Sequence, residues 1–312
     1  MSAPERLDVV VCCHDDAALL PRLLEALANQ SAGRDAFRVI VVDNASTDDP
    51  RGVAERFKTQ LDIDVVDEPI LGLNRARNAG YRHARSSFVA HVDADSIPDP
   101  QWVEAIIDVT SRTGCDLCGG PYRPFYISQK PEWFEDRFIG HTWGDTPRPM
   151  QGREHPHGMN MIWKKATVER LGGFRAELGL HGRGLARGDE TELVARGRAS
   201  GAPFVIQYDP RISVQTVVRP EALSFRYWLR RTFVHGRTCR DMWGDLGPGM
   251  SRPWPLRGTG ALALMIVAFL RAPFRSLRRY PHLRTFLFDH LLPPLFHLGS
   301  AYQDAFGAIG RK

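Results

Sequence analysis

The sequence predicts an α/β protein with a mostly parallel central sheet flanked by helices and a helical C-terminal tail. Three observations carry that expectation. Short, nearly continuous apolar runs at Leu7–Cys13 and residues 37–42 mark strands buried on both faces. Segments with apolar residues at helical spacing alternate with such runs through the first hundred residues, the pattern of right-handed parallel crossovers. An arginine-rich C-terminal stretch then follows a proline- and glycine-rich break at residues 244–260.

Taken in order, the first strand precedes Leu19, Leu20, Leu23, Leu24 and Leu27 at helical spacing, closed by Gly33. The second strand ends in Asp43-Asn44-Ala45-Ser46-Thr47, where Ser46 or Thr47 caps a helix running toward Phe57. Residues 63–66 form a third strand, 73–85 a helix and 87–92 a fourth strand. A helix over Trp102–Thr113 and a strand near Leu117 come next. Residues 122–157, rich in Pro, Gly and aromatics including Trp133, read as a binding surface more than a framework. Residues 163–171 predict a helix stopped by Gly172-Gly173, and 190–198 another. Residues 205–208 and 212–218 read as strands, and 223–239 as a long basic amphipathic helix.

The net charge of +5 is mild, but arginines cluster at 219–240 and 271–284, which points to an anionic surface or polyanionic substrate. No basic stripe with interleaved stacking aromatics accompanies them, which argues against nucleic acid. Five cysteines, an odd number without metal-ligand spacing, predict buried thiols in a reducing compartment. No signal peptide is expected and no apolar run reaches the ~18 residues that spanning needs, so the chain is expected to be cytoplasmic. Residues 259–270 come nearest, about 12 residues or roughly 18 Å of helix. With arginines on both sides, that segment suits peripheral docking on the cytoplasmic face of a membrane. Packing on the rest of the chain or across a homodimer fits it equally.

The chemistry centres on Asp93-Ala94-Asp95, at the C-terminal end of the fourth strand, where open α/β sheets place ligands. Residues i and i+2 of an extended segment point the same way, so both carboxylates can face one divalent cation. His14, Asp43 and Arg77 fall on loops at the same sheet edge. His14 offers a ring for stacking, Asp43 a carboxylate for a base or ribose, and Arg77 a charge for phosphate at the start of a helix. Together they describe a crevice for a nucleoside diphosphate with its metal. Residues 13–18 contain no glycine, which argues against a dinucleotide fold or the glycine-rich phosphate loop of a nucleotidyltransferase.

Four of these stretches, in order and spacing, resemble the donor half of family 2 glycosyltransferases: residues 9–15, 41–49, 74–80 and 92–95. The similarity continues through Gly158-Met159-Asn160-Met161, Gly172-Gly173-Phe174 and Gly188-Asp189-Glu190, covering roughly residues 7–240. The resemblance implies a GT-A fold, a nucleotide-diphosphate sugar donor (a UDP-sugar first), Mg²⁺ or Mn²⁺, and inversion at the anomeric carbon. The acceptor would be a glycan, a lipid-linked sugar or a small molecule. It implies a catalytic domain over 1–243, about 1–120 for the donor and about 121–243 for the acceptor, followed by the tail at 244–312. Cys13 and His14 would support the base, His14 replacing the family's tyrosine. Asp43 and Asn44 would contact the base, Arg77 the phosphates, Asp93 and Ala94 the ribose, and Asp95 with Asp93 the metal. Glu190 would be the general base with Asp189 beside it, and Trp133 and Asn160 would meet the acceptor.

Two departures stand out. Asp189-Glu190 reverses the family's Glu-Asp, and no histidine follows the last sheet strand, where Gln215 or Thr216 and then Arg219 stand. His155, His157 and His181 are candidate substitutes. A catalytically decayed sugar- or nucleotide-binding protein is the alternative of a different class. It is disfavoured because Asp93, Asp95 and Glu190 all remain.

Overall fold

The structure, a computed structural model, describes residues 6–178, 189–243 and 251–307, with main chain alone at 189 and 241–243. The described residues form two compact units: 6–125, 139–178 and 189–217 in the first, 126–138, 218–243 and 251–307 in the second.

The first unit begins with β1 (Leu7–Cys13), α1 (Leu20–Ala28), β2 (Phe37–Asp43), α2 (Pro50–Glu55), β3 (Ile63–Asp67), α3 (Leu73–His83) and β4 (Phe88–Val92). Next come β5 (Ser96–Pro98), α4 (Trp102–Thr113), β6 (Leu117–Gly119), β7 (Tyr122–Tyr126) and β8 (Arg148–Pro149). Then follow β9 (Asn160–Lys164), α5 (Lys165–Arg170), α6 (Asp189–Ala199), β10 (Ile206–Tyr208) and β11 (Val214–Val218). The large sheet has the order β3-β2-β1-β4-β9-β6-β10-β8, and a small one the order β5-β11-β7. Pairing is parallel through β3-β2-β1-β4, with Leu7 opposite Phe37 and Cys13 opposite Asp43, so those strands end together at one edge. Strand β9 breaks the run by lying antiparallel to both β4 and β6.

The valine-rich strands lose both faces to helices, which explains their unbroken apolar character. Helix α1 turns Leu20, Leu23, Leu24 and Leu27 onto one face. Helix α3 comes so close to β1 that a Cβ on Gly80 would lie 2.4 Å from Val10 Cγ1. Gly114, at φ 58°, closes α4.

Two local expectations are corrected. Asp49, not Ser46 or Thr47, caps α2: its carboxylate accepts the Gly52 amide at 2.7 Å, and Pro50 follows at the first helical position. Ser46 and Thr47 are drawn instead to the Cys13 carbonyl and Asp15. Trp163 is not helical but lies on β9, paired with Val89 and Leu117, and the helix starts at Lys165. A short apolar run buried on both faces reads alike as strand or helix.

The second unit holds α7 (Phe225–Trp243), α8 (Trp254–Arg271) and α9 (Leu283–Phe306). Here α7 packs along α9, and α8 along α9 as well. Contacts group α7 with the C-terminal helices in this unit. Residues 254–260 of the expected break are the first turns of α8, with a proline where helix starts accept one. Glycines explain the close α7–α9 crossing: a Cβ on Gly236 would meet the Phe296 carbonyl oxygen at 2.0 Å, and one on Gly299 that of Phe233 at 2.1 Å. Gly299→Ala is expected to cost about 1 to 3 kcal/mol, because backbone rather than a flexible side chain must yield. A melting temperature equal to the parent's would refute the tight crossing.

Candidate active site

The ends of β1 and β2 are tied side by side. The Asn44 amide donates to the Cys13 carbonyl (2.8 Å), and His14 Nδ1 donates to the Asn44 carbonyl (2.9 Å). Asp15 and Ala45, one on each of the loops that follow, both have φ 55° without being glycine. Such strain persists only where surroundings impose it, and it gathers at functional sites. Here Asp15 Oδ1 accepts from both the amide (2.7 Å) and the hydroxyl (2.9 Å) of Thr47, and Asp48 accepts the Ala17 amide at 2.8 Å. Asp43 accepts the Ser46 amide at 3.1 Å. Asn44 serves the fold: its side chain donates to the carbonyls of Glu68 and Ile70 and accepts the Gly72 amide, so it pins the loop that leads into α3.

Asp93 and Asp95 occupy the turn between β4 and β5. The Asp93 carbonyl accepts the Ser96 amide (2.9 Å) and the Asp95 carbonyl the Val217 amide (2.8 Å). Ser96 pairs with Thr216 across β5 and β11, so the last strand of the small sheet braces the turn. Both aspartates are half-buried, with Ala94 buried between them. Burial pushes the Cys12 thiol up to about 12; Arg77 opposes the shift and the Asp93 carboxylate adds to it. Cys13 is likewise raised to about 12, so both thiols stay protonated.

Around Glu190, near the N-terminus of α6, a second set of groups converges. A Cβ on Gly158 would lie 2.8 Å from Arg77 Nη2 and 3.5 Å from Glu190 Oε2, so both reach the same bare patch of backbone. Arg77 is 3% exposed; it donates to Asn74 Oδ1 (3.3 Å) and its guanidinium lies 5.5 Å from the Phe174 ring centroid. Burial alone pushes the Glu190 carboxyl up. Arg77, with His155 and His157, outweighs that and holds it below the ordinary carboxylate range. Sequence assigned Arg77 to phosphate; the structure sets it beside the acid.

The turn after α5 is gripped from two helices, α3 and α6. Asn74 donates to the Arg175 carbonyl (2.8 Å), and Asn78 both donates to the Phe174 carbonyl (2.7 Å) and accepts its amide (3.0 Å). From α6, Arg196 donates to the Gly173 carbonyl at 2.7 Å. In the sequence Asn74 and Asn78 are members of the stretch 74–80 with no role of their own. Two asparagines one turn apart, poor helix formers, were the signal that their side chains hold something else.

Asn160 and Trp133, the residues expected at the acceptor, are both buried. Asn160 is 0% exposed: its amide donates to the Ile212 and Pro121 carbonyls and accepts the Trp102 indole at 2.9 Å. Trp133 lies in the aromatic core of the second unit, against Phe134, Phe138 and Phe225. The side chain of Asp189, and His181, lie outside the described residues.

Residues 8–171 match the model of glycosyl transferase family 2. The chain belongs to that family. It is 32% identical over 271 residues to glycosyltransferase AglE of Haloferax volcanii, covering 86% of this chain and 82% of that protein. The glucosyl-dolichyl phosphate glucuronosyltransferase of the same organism is 24% identical over 216 residues, 65% of this chain and 66% of its own. Among solved structures, the mannosyltransferase PcManGT of Pyrobaculum calidifontis, in complex with GDP-Man and Mn²⁺, superposes with a TM-score of 0.64 at 19% identity, covering 98% of this chain and 88% of that one. The protein is therefore a glycosyltransferase of GT-A fold.

For a family 2 enzyme the metal question falls on the aspartates. Among the described residues no group of three or more His, Cys, Asp and Glu side chains is arranged around one point. Gln215 and Thr216 lie on β11, on the strand that braces the Asp93–Asp95 turn. Two hard carboxylate donors without a third side chain suit Mg²⁺ or Mn²⁺ completed by phosphate oxygens and water, not a caged ion.

Proposed function

We propose that the transferase moves a sugar from a UDP- or GDP-linked donor to a hydroxyl of a glycan or lipid-linked acceptor, with inversion and with Mg²⁺ or Mn²⁺. The observation that carries this reading is Glu190 set beside the buried Arg77 guanidinium at Gly158, a charge that favours the ionised carboxylate. An acceptor hydroxyl is a poor nucleophile unless its proton leaves as it attacks, and an ionised carboxylate takes that proton. A single displacement opposite the departing diphosphate inverts the anomeric carbon. Asp93 and Asp95 would hold the metal, whose chemistry is to stabilise the charge on the departing diphosphate. The His14 ring and the Asp43 carboxylate would position the nucleobase. Arg77 would act through Glu190, as a positioning residue. The bound donor and Mn²⁺ of PcManGT support the donor class and the metal, and the similarity to a glucosyl-dolichyl phosphate glucuronosyltransferase supports a lipid-linked acceptor. Five cysteines without a disulfide support a cytoplasmic location.

A thermal-shift comparison of UDP- and GDP-sugars with Mn²⁺ tests the proposal. A donor at 100 times its Kd is expected to stabilise the protein by about 2.7 kcal/mol, and EDTA to abolish most of that gain. The reading fails if no nucleoside-diphosphate sugar raises the melting temperature, or if EDTA leaves the gain intact.

A further inference from the structure

We propose that the second unit carries a docking surface for an anionic lipid bilayer, formed by α8 and the arginine-rich turn that follows it. Helix α8 and the 3₁₀ turn Ala272–Phe274 give 21 helical residues in succession, Trp254–Phe274. Only Arg257, Ala261 and Ala268 of α8 are buried. At 100° per residue these three fall within one narrow stripe. That stripe faces α9: Arg257 pairs with Asp304, and a Cβ on Gly258 would lie 3.5 Å from the Ala301 methyl. The rest of the circumference is apolar and open, with Leu256 63%, Leu270 67% and Phe274 88% exposed, and Leu264, Ile266 and Leu277 between half and two-thirds exposed. A contiguous apolar patch of this kind marks an interaction site.

Charge selects the occupant. Residues 251–288 carry seven arginines and no acidic residue, and residues 258–270 carry no charge at all. Arg252 lies exposed before the apolar stretch, and Arg271, Arg278 and Arg279 lie exposed after it. An apolar centre with cationic ends matches lipid chains below acidic headgroups. A second copy on the same face would set arginine against arginine, since the strip offers no acid to answer it. The half-exposed Trp254 adds a side chain typical of a membrane interface.

The structure changes why the helix lies flat. Sequence placed it short of a bilayer, but 21 residues at ~1.5 Å each reach roughly the ~30 Å of the hydrocarbon core. Crossing would instead require α8 to leave α9 and carry Arg257 into hydrocarbon without Asp304. The surface therefore docks in the plane of the membrane.

The test is sedimentation of the full-length protein with phosphatidylcholine vesicles, with and without phosphatidylglycerol. Binding is expected only with phosphatidylglycerol and is expected to weaken with salt. Combined Arg271→Glu, Arg278→Glu and Arg279→Glu should weaken it by at least about 100-fold. Leu264→Asp with Phe274→Asp should abolish it, and both variants should keep the donor-induced thermal shift. Equal binding to both vesicles, or unchanged binding by the arginine variant, overturns the proposal. So does a dimer that Phe274→Asp dissociates in a protein that ignores vesicles. Resistance to carbonate extraction from native membranes would show a spanning helix and also overturn it.

Discussion

Asp95→Ala is expected to leave a folded protein that no longer transfers sugar. The turn carrying Asp95 is held through main chain, from the Val217 amide to the Asp95 carbonyl and from the Ser96 amide to the Asp93 carbonyl. Alanine keeps both bonds, so circular dichroism and melting temperature should stay close to the parent's. The carboxylate, by contrast, would be one of two hard donors on the turn, and among the described residues no third His, Cys, Asp or Glu side chain gathers with them. Loss of transfer by at least about 10³-fold is expected, alongside loss of the metal-dependent part of donor binding. Asp93→Ala should weaken donor binding in the same direction. Wild-type turnover that survives EDTA, or an Asp95→Ala variant with normal turnover, would remove the metal from the mechanism.

Glu190→Gln should lose about 10² to 10⁴ in kcat with donor affinity nearly unchanged, the usual cost of removing a general base. Glutamine has the same size and keeps a neighbour for Gly158, so the fold should tolerate it. The pH profile separates a base from a structural acid. The base works ionised, so kcat/KM falls as pH drops through its pKa, which Arg77 and the two histidines hold below the usual carboxylate range. Activity should therefore persist further into acid than an ordinary glutamate allows. Arg77→Met removes the largest opposing charge and leaves burial to push the pKa up, so the acid limb should move to higher pH. If Glu190→Gln is active and Asp189→Asn is dead, the assignment is reversed. If Arg77→Met lowers activity without moving the limb, Arg77 does not act through Glu190.

Much of the first unit could be read along the chain. Strand β1 ends where the apolar run ends, and α4 spans the predicted residues. Burial writes itself into sequence locally, as an unbroken apolar run in a strand covered on both faces and as a 3.6-residue period in a helix. The Asp-Ala-Asp turn was legible for the same reason, because a strand end is a local event. Reading failed where a short polar side chain had a choice. Ser46 and Thr47 looked like caps, but nearby partners on the first loop took them, and Asp49 capped α2 instead.

Sequence by itself determined the family, the parallel character of the sheet's first strands, and where paired aspartates and the acid at position 190 fall along the chain. Their types and spacing follow from chain-local geometry. Tertiary structure alone decided what each buried polar group touches. Asn160 and Asn44 read as ligand contacts, yet every amide bond shown for them goes to the protein itself: burial leaves a polar group no water, so it must find a partner wherever the fold brings one. Arg77 was expected at phosphate and stands beside Glu190, because residues 113 positions apart meet only when α3 and α6 pack around Gly158. The same holds for the tail. Its apolar letters were visible from the start, but only the narrow contact between α8 and α9 shows which of them the protein leaves uncovered.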